Sequence, residues 1–487
     1  MTEPVSSLAS DGPASDSPAT EVVIPEGLTW RRMHPVTPAV KGWKVLAVLL
    51  VIAAQQVGNN VQEAGKLLHG RAWLIGLAII VGGALIGFGY AAIAWRMTRF
   101  AIDDDAVYLH SGVLFRQQRK ARLDRLQAVD VVQPVLARIL GLAELKLEVA
   151  GGAGSGVSLA FLNENDAAVL RTDLLARAAG IRRVEGAVAP PPVPEQHVLE
   201  VTPTQLMVGM ARSGATIVLV LGVIALTTVV VWSGEFGSIF VMVPASFGFV
   251  AFYWGRFTRE FNFRAAISHD GIGLHHGLLE ARSQTVPPGR VQALRLTQGP
   301  FWRGPGWWRV EMNVAGYSGA EAQSTENVLL PVGSRDQALV AVWLVLPDLG
   351  VTDPRALLAA GMDGTGEDEG FTTMPRRARW LDPFAWRRTG FVVTDRALLI
   401  RSGWLIRRLT LVPHERTQSL SLEQGPIQRK LGVASLVVHS TPGPVSPRVP
   451  HLQAAVAGEL MTEQAARART ARASAGPELW RRPEGDS

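Results

Sequence analysis

The sequence predicts an α+β membrane protein. Four transmembrane helices, arranged as two hairpins, are expected to carry three copies of one small β-sheet module, and a C-terminal helix is expected to close each copy. Two observations predict this fold class. Long uncharged runs are concentrated in two regions of the 487-residue chain, and their length suits a bilayer. The soluble segments share residues at fixed offsets, which indicates an internal repeat.

The two hydrophobic regions are predicted as hairpins of transmembrane helices over residues 40–95 and 204–255. A helix needs about 20 apolar residues to cross the hydrocarbon core of a bilayer. Four runs without a charged residue meet or approach this length: 45–62, 72–95, 213–234 and 236–255. The first run is the weakest, because one helical face in its second half carries Gln55, Gln56, Asn59 and Asn60.

Basic residues predict which side of the membrane the soluble segments occupy. Ten lysines and arginines flank the span ends that adjoin the soluble segments, whereas the outer loops contain only Lys66 and Arg71. Loops rich in positive charge stay in the cytoplasm. The sequence therefore predicts a multi-pass protein of the cell (plasma) membrane with both termini in the cytoplasm.

Six positions repeat three times in the soluble segments without a gap. Counted from a first glycine, the other five lie 13, 15, 21, 26 and 29 residues further on and are Arg, Gln, Gln, Arg and Gly. The three sets are Gly112, Arg125, Gln127, Gln133, Arg138 and Gly141; Gly277, Arg290, Gln292, Gln298, Arg303 and Gly306; and Gly403, Arg416, Gln418, Gln424, Arg429 and Gly432. We infer that the three segments share one fold.

Each copy shows several strands followed by a helix. Residues 106–110 and 397–401 are apolar runs that lead into the first repeated glycine, which is typical of a strand entering a turn. Residues 122–132 and 145–149 alternate polar and apolar side chains, as half-buried strands do. The closing helices are predicted after Asn163 or Asn165, after Ser334, and, with the weakest pattern, over 454–460.

The segment 123–145, LDRLQAVDVVQPVLARILGLAEL, resembles the signature of the bacterial pleckstrin-homology-like (PH-like) membrane proteins, YdbS/YdbT-like. Segments 32–38 (RMHPVTP) and 42–45 (GWKV) are similar to the stretch that precedes the first span in that family. The resemblance covers about residues 28–462. It implies PH-like sheet or barrel modules, and it implies architecture more than activity. The second module departs from the family at 287–289 (PPG) and in the aromatic stretch 301–308.

Composition between these segments completes the predicted division of the chain. PH-like modules are expected over 96–180, 256–348 and 387–462. Segments rich in proline, glycine or charge are expected to be linkers or disordered. These are an N-terminal arm over 1–27, a proline-rich linker over 181–200, a flexible acidic linker over 351–386 and a tail over 463–487.

Two sets of arginines are candidate contacts for lipid or a protein partner. In the first, Arg138, Arg303 and Arg429 each precede a repeated glycine by three residues, and an exposed guanidinium there suits a phosphate. The alternative, favoured by the threefold repetition, is that the repeated residues preserve the fold. The second set suits an anionic membrane surface or, equally, a solvated linker. It consists of Arg376, Arg377, Arg379, Arg387 and Arg388, among Trp380, Phe384 and Trp386.

The sequence contains no pattern typical of an enzyme, a metal centre or a cofactor site. The chain has no cysteine, which excludes thiolate catalysis and cysteine-bound metals. His269, His275 and His276 are more typical of strand or surface residues than of metal ligands, and no catalytic motif is present. Loops beside the membrane explain the net charge of +6, so no nucleic acid is expected as a partner.

These observations favour a non-enzymatic membrane scaffold without a cofactor. Its three modules are expected to bind membrane lipids, and a protein partner or further copies of the chain, at the cytoplasmic face. The alternative is a component of a transport or export system that uses the polar face of the first span. Transporters usually carry charged groups within their spans, and the four runs carry none, so we prefer the scaffold.

Overall fold

The computed structural model describes residues 29–35, 37, 72–112, 117–149, 156–178, 196–234, 239–268, 271–315 and 327–474. Within these residues each module contributes a four-strand set, then a three-strand set, then a helix. All recorded strand pairs are antiparallel, and neighbours in sequence pair as hairpins. This arrangement is consistent with the predicted PH-like modules.

The first module begins with a four-stranded sheet in the order β1-β2-β3-β4. Its elements are β1 Arg31–Arg32, α1 Ala72–Met97, β2 Arg99–Ile102, β3 Ala106–Ser111, β4 Gln117–Arg122, β5 Leu126–Pro134, α2 Val135–Ile139, β6 Leu142–Val149, β7 Val157–Asn163 and α3 Glu164–Ala178. The side chain of Asn163 accepts a hydrogen bond from the Asn165 backbone N–H at 3.3 Å, so Asn163 rather than Asn165 caps α3.

The second and third modules repeat this order. The second contains β8 Gln196–Val201, α4 Pro203–Ala211, α5 Gly214–Ser233, α6 Ile239–Glu260, β9 Phe263–Ser268, β10 Gly271–His276, β11 Glu280–Val286, β12 Val291–Gln298, β13 Trp308–Val314, β14 Val328–Gly333 and α7 Arg335–Val345. The third follows α8 Pro354–Met362 and contains β15 Thr372–Thr373, β16 Gly390–Val393, β17 Ala397–Ser402, β18 Arg407–Pro413, β19 Ser419–Glu423, α9 Pro426–Lys430, β20 Val433–His439, β21 Arg448–Gln453 and α10 Ala454–Ser474. Ser334 caps α7 in a capping box with Gln337.

The repeated glycines close equivalent turns in all three modules. Gly112, Gly277 and Gly403 have φ of 106°, 111° and 76°, a region that side chains rarely adopt. A Cβ on Gly277 would lie 2.0 Å from the carbonyl oxygen of Glu280. The second repeated glycine, at the end of the short helix or turn after the fifth strand, also has positive φ in each copy. The fold-preserving interpretation therefore accounts for the glycines.

Hydrogen bonds across modules join their sheets edge to edge. Strand β5 of the first module pairs with β11 of the second, and β12 of the second pairs with β18 of the third. Two seven-stranded sheets result, in the orders β7-β6-β5-β11-β10-β9-β8 and β14-β13-β12-β18-β17-β16-β15. The modules thus form a continuous array rather than separate domains on linkers.

The apolar core follows the same arrangement. One cluster, with Leu145, Phe161 and Leu174, lies within the first module. A larger cluster spans the second and third modules and includes Trp308, Leu358 and Leu411. Each fully buried large side chain stabilises the fold by about 1.5–3 kcal/mol. Because side chains of both modules are buried in this one cluster, the joint between the second and third modules has a hydrophobic core of its own.

Three predicted boundaries are wrong. The segment 351–386 is not a flexible linker, because α8 buries Leu357, Leu358 and Met362 in the larger core and Asp353 caps it. The predicted tail from 463 continues α10 to Ser474, with Gln464 and Ala468 buried. The proline-rich linker over 181–200 overlaps β8, the first strand of the second module. In each case long-range packing, which composition does not reveal, orders the segment.

One of the four predicted spans meets the length and hydropathy that a bilayer requires, among the residues that the structure describes. It is Gly214–Trp232 within α5, with a mean hydropathy of 2.6 and almost no side chain buried. Helices α1 and α6 coincide with the second and fourth predicted spans. The first span, including Gln55, Gln56, Asn59 and Asn60, lies outside the described residues.

A buried histidine couples α10 to the third module and makes its stability depend on pH. His414 Nε2 lies 2.8 Å from the Thr394 carbonyl oxygen, and its Nδ1 lies 2.9 Å from Gln464 Nε2. This pairing suits a neutral ring, because the Gln464 amide N–H donates to Nδ1. Burial, together with the charge of Arg467, lowers the pKa of His414 below its ordinary 6.5.

We expect the third module to lose stability as pH falls below 6.5. A lowered folded-state pKa means that the unfolded chain takes up the proton more readily, so stability is complete above the ordinary pKa and falls towards the folded pKa. The slope attributable to one group is at most about 1.4 kcal/mol per pH unit. Thermal unfolding of wild type and His414→Gln between pH 7.5 and 5 measures it. Equal slopes in the two proteins would contradict the assignment.

Candidate membrane-facing site

Each module contains an insertion between the first and second strands of its four-strand set. In the first module the connection from β1 to β2 contains α1, and in the second the connection from β8 to β9 contains α5 and α6. In the third, the connection from β15 to β16 is the short segment 374–389, with a 3-10 turn over Arg376–Trp380. The third insertion thus takes the place in the fold that apolar helices take in the other two.

The third insertion exposes aromatic side chains. Trp380 is 75% exposed and Phe384 69% exposed. Phe384 stacks on Trp404, at the tip of the β17–β18 hairpin, with ring centroids 5.4 Å apart. Leu405, beside Trp404, is also exposed. We refer to Trp380, Phe384, Trp404 and Leu405 as the aromatic patch.

The second module shows where such a hairpin tip lies relative to an apolar helix. The backbone N–H of Leu278 donates to the carbonyl of Thr258 at 2.7 Å, and that of Gly277 donates to Phe261 at 2.8 Å. Both acceptors are at the end of α6 or directly after it. The equivalent tip in the third module carries Trp404 and Leu405, so the aromatic patch lies where the second module contacts its apolar helix.

Basic side chains lie on the same insertion as Trp380 and Phe384 of the aromatic patch. Arg376, Arg377, Arg379 and Arg387 are exposed on the insertion. The Arg379 guanidinium lies 5.6 Å from the Trp380 ring centroid and that of Arg387 lies 5.3 Å from Trp386. An aromatic surface with a cationic rim combines the two features that favour the headgroup layer of an anionic bilayer.

The repeated arginine at offset 26 makes the same contact at both joints between modules. Arg138 Nη2 donates to the carbonyl of Leu278 at 3.1 Å, at the hairpin tip of the second module. Arg303 donates to the carbonyls of Trp404 and, at 3.0 Å, Leu405, at the hairpin tip of the third. These two arginines were candidates for lipid or a partner, and the structure gives them the next module of the same chain instead.

A model of the bacterial PH domain matches this chain three times, over residues 46–178, 214–343 and 344–468. These matches cover most of the chain, and each overlaps one of the three structural modules. The chain belongs to the bacterial PH domain family.

Comparison with curated proteins finds a named relative of this chain. The chain is 23% identical over 248 residues to the UPF0699 transmembrane protein YdbT of Bacillus subtilis (strain 168). The match covers 45% of this chain and 50% of that protein, so the chain matches half the length of that relative. No solved structure is similar to the chain. The family assignment, the transmembrane relative and the apolar helix in α5 together support a membrane protein that carries bacterial PH modules.

One arginine of the predicted membrane-contacting set does not belong to the surface. Arg388 is 4% exposed and donates to the carbonyls of Gly361, Met362 and Gly364 at 2.6–3.1 Å. Burial, reinforced by the charges of Arg407 and Arg401, lowers the pKa of Arg388 to about 9. The residue holds the 361–364 segment against the bacterial PH module and cannot reach lipid.

Sequence analysis missed Arg401, which is fully buried beside Arg388. It donates to the carbonyls of Arg388, Ala360 and Gly366 at 2.5–2.8 Å, and its guanidinium lies 4.3 Å from the Phe371 ring centroid. The two arginines therefore hold the end of the third insertion, at Arg388, against residues 360–366. The only sequence signal was an arginine at the end of an otherwise apolar strand, which is also typical of a strand leaving the core.

Several of the remaining repeated residues make hydrogen bonds within the bacterial PH fold. Gln298 and Gln424 donate to the carbonyls of Trp307 and Val433, thirty residues after the first repeated glycine in each case. Arg125, Arg290 and Arg416 end the same 3-10 turn before the fifth strand. Gln292 donates to the Arg290 carbonyl, and the Gln418 backbone N–H donates to His439. No metal-ligand cluster occurs in the parts of the chain that the structure describes.

A polar cavity of about 360 Å³ lies in the first module at the end of α1. Arg96, Arg99, His110 and Gly112 contribute to its wall. The cavity is lined by the end of the apolar helix α1 and by the neighbouring residues of β3 and β4. In the second module the end of α6 likewise contacts the β10–β11 hairpin. Cationic side chains at this position suit an anionic headgroup beside the helix end.

Proposed function

We propose that the protein is a non-enzymatic, multi-pass scaffold of the cell membrane, with both termini in the cytoplasm. Two predicted hairpins of helices hold the first and second modules at the inner leaflet, and the third module rests on the same leaflet through the aromatic patch. Its arginine rim, Arg376, Arg377, Arg379 and Arg387, pairs with anionic headgroups. Partners are membrane lipids and either another protein or further copies of the chain.

One observation carries this proposal. The third insertion occupies the position in the fold at which the first and second modules send apolar helices away from the sheet. Because the three modules join through equivalent strands, their insertions are expected on one side of the array. An exposed aromatic surface at that position is costly in water and favourable at the interface of a bilayer.

The absence of cysteine from the chain gives a direct test by single-cysteine labelling. We expect an environment-sensitive fluorophore on Leu405→Cys to be quenched by spin-labelled lipid, in proteoliposomes that contain anionic lipid. The same fluorophore on Arg469→Cys, an exposed position on α10, is expected to be quenched by aqueous iodide instead. Iodide quenching of the Leu405 label equal to that of the control would contradict contact of the third module with lipid.

Topology is measured with the same approach in cells. Single cysteines at the exposed positions Glu164, Asp336 and Asp395 sample the three modules. A membrane-impermeant maleimide is expected to label all three only after the cytoplasmic membrane is permeabilised. Labelling of any one of them in intact spheroplasts would contradict a single cytoplasmic face.

A further inference from the structure

The two joints between modules have the same register. In the first, Val131, nineteen residues after Gly112, lies opposite Ser283, six residues after Gly277. In the second, Leu296, nineteen residues after Gly277, lies opposite Leu409, six residues after Gly403. In both, the fifth strand of one module pairs with the fourth strand of the next. The joint is therefore a repeating contact between two different edges of the module, the fifth strand of one copy and the fourth strand of the next.

The array ends with one unused edge of each kind. Among the described residues, β4 pairs with β3 alone, and five of its six residues are exposed. Strand β19, at the other end, pairs with β20 alone in the part of the chain that the structure describes. Strand β4 is the counterpart of β11 and β18, the fourth strands of the other modules. Strand β19 is the counterpart of β5 and β12, the fifth strands. Unpaired edge strands expose backbone hydrogen-bonding groups that bind another strand readily.

The arginine contact of the joint is also left incomplete at the end of the array. Arg138 and Arg303 each bind the hairpin tip of the following module. Arg429 is their counterpart in the third module and is exposed. Its side chain makes no hydrogen bond or ion pair with the residues that the structure describes. Within the described part of the chain, the corresponding repeated glycine that no arginine serves is Gly112, in the first module.

We propose that copies of this chain assemble head to tail, with β19 of one copy pairing with the β4 edge of the next. The repeated register places Leu422 opposite Gln118 and Glu423 opposite Gln117. Arg429 of the first copy then lies beside the Gly112 end of β3 of the second. The occupant is a second copy, because the two free edges reproduce a joint that this chain already forms twice.

Charge at the two edges is compatible with this pairing. Strand β4 carries Arg119, Lys120 and Arg122, while β19 ends on Glu423. In the inferred register Glu423 is a diagonal neighbour of Arg119 on one face of the sheet, within reach of a long side chain. The basic edge also disfavours pairing of β4 with another β4, since like charges would then lie opposite one another.

The contact joins two different surfaces of the chain, so each added copy leaves a free edge for the next copy. A surface that differs from its complement closes into a ring when the rotation between copies allows it, and otherwise forms an open filament. The inference deepens the proposed scaffold function by naming a second copy as the partner, and it does not depend on contact of the aromatic patch with lipid.

Disulfide crosslinking of the full chain in native membranes tests the register. Opposed residues in antiparallel strands have Cα atoms about 4.5–5.5 Å apart, which a disulfide spans. With copper phenanthroline as the oxidant, we expect Gln118→Cys/Leu422→Cys to give a ladder of dimers and larger oligomers. A mixture of the two single variants is expected to give dimers only. Arg119→Cys/Leu422→Cys, shifted by one residue, places the thiols on opposite faces and is expected to crosslink weakly.

Mass measurement of the purified protein in mild detergent gives an independent readout. We expect concentration-dependent oligomers of wild type, and a dissociation constant higher by about tenfold for Arg429→Ala, which removes a charge-assisted hydrogen bond. Arg469→Ala is the matched control and is expected to behave as wild type. A single-chain mass at every concentration, together with no crosslink in the inferred register, would overturn the assembly. Failure of the Leu405 depth measurement would overturn only the lipid contact.

Discussion

Replacing Arg401 by leucine is expected to lower the free energy of unfolding of the third module by about 3–5 kcal/mol. The guanidinium has no solvent exposure and binds the carbonyls of Arg388, Ala360 and Gly366. Leucine fills part of the volume but leaves the carbonyls of Arg388 and Gly366 without a donor, while the Ala360 carbonyl keeps the backbone N–H of Gly364 at 2.9 Å. Each unsatisfied buried group costs about 1–3 kcal/mol. Thermal or denaturant unfolding of the purified protein measures the loss.

Two further variants identify the cause of that loss. Arg401→Lys keeps the charge but not the planar fork, so it is expected to restore little of the stability. Arg408→Leu removes an exposed arginine seven residues along the same hairpin, and its effect is expected to stay within about 0.5 kcal/mol. A loss in Arg401→Leu no greater than in Arg408→Leu would refute the role of the buried hydrogen bonds.

Replacing Arg309 by leucine is the second change with a large expected effect, again about 3–5 kcal/mol. Arg309 lies between two acids: its Nη2 is 2.7 Å from Glu260 Oε1, and its Nε is 3.1 Å from Glu311 Oε1. Arg295 completes the group through Glu311 at 2.7 Å. Glu260 belongs to α6 and Arg309 to β13, so these ion pairs attach the helix to the second module.

The pH dependence of this variant follows from Glu311. Burial alone would raise the pKa of Glu311, but Arg309 and Arg295 hold it below its ordinary 4.5. A lowered pKa stabilises the fold above the ordinary value, and that contribution is lost as pH falls below it. Without Arg309 the Glu311 pKa is no longer held as low, so the variant is expected to lose less stability than wild type as pH falls below 4.5. Unfolding of both proteins between pH 7 and 4 measures the difference in slope.

A double variant separates the ion pair from a general packing defect. If Glu260 and Arg309 act as a pair, Arg309→Leu/Glu260→Leu is expected to be less destabilised than the sum of the two single variants, because neither charge remains buried alone. Additive losses would show that Arg309 acts through packing rather than through Glu260.

The repeat made the module predictable. Gly112, Gly277 and Gly403 indicated tight turns after strands, and all three turns occur with positive φ. Ser334 was identified as a helix cap from local chemistry, and the capping box is present. Turns and caps depend on interactions within a few residues, so a sequence window contains what determines them.

The boundaries of the third module were mispredicted for the opposite reason. The segment 361–370 is rich in glycine and acid, and composition alone suggests flexibility. It is ordered because Arg388 and Arg401 satisfy its carbonyls, and these residues come from elsewhere in the chain. In the same way, Gln464 and Ala468 extend α10 because the module buries them, although the helical pattern beyond residue 460 is weak.

The sequence by itself determined that one module occurs three times, where its turns fall and that apolar helices accompany it. Only the tertiary structure decided that the modules share sheets through β5–β11 and β12–β18, and that Arg138 and Arg303 serve those joints. Backbone hydrogen-bonding groups are the same in every strand, so nothing in an edge strand's own sequence names its partner. The choice depends on which edges the folded modules bring together.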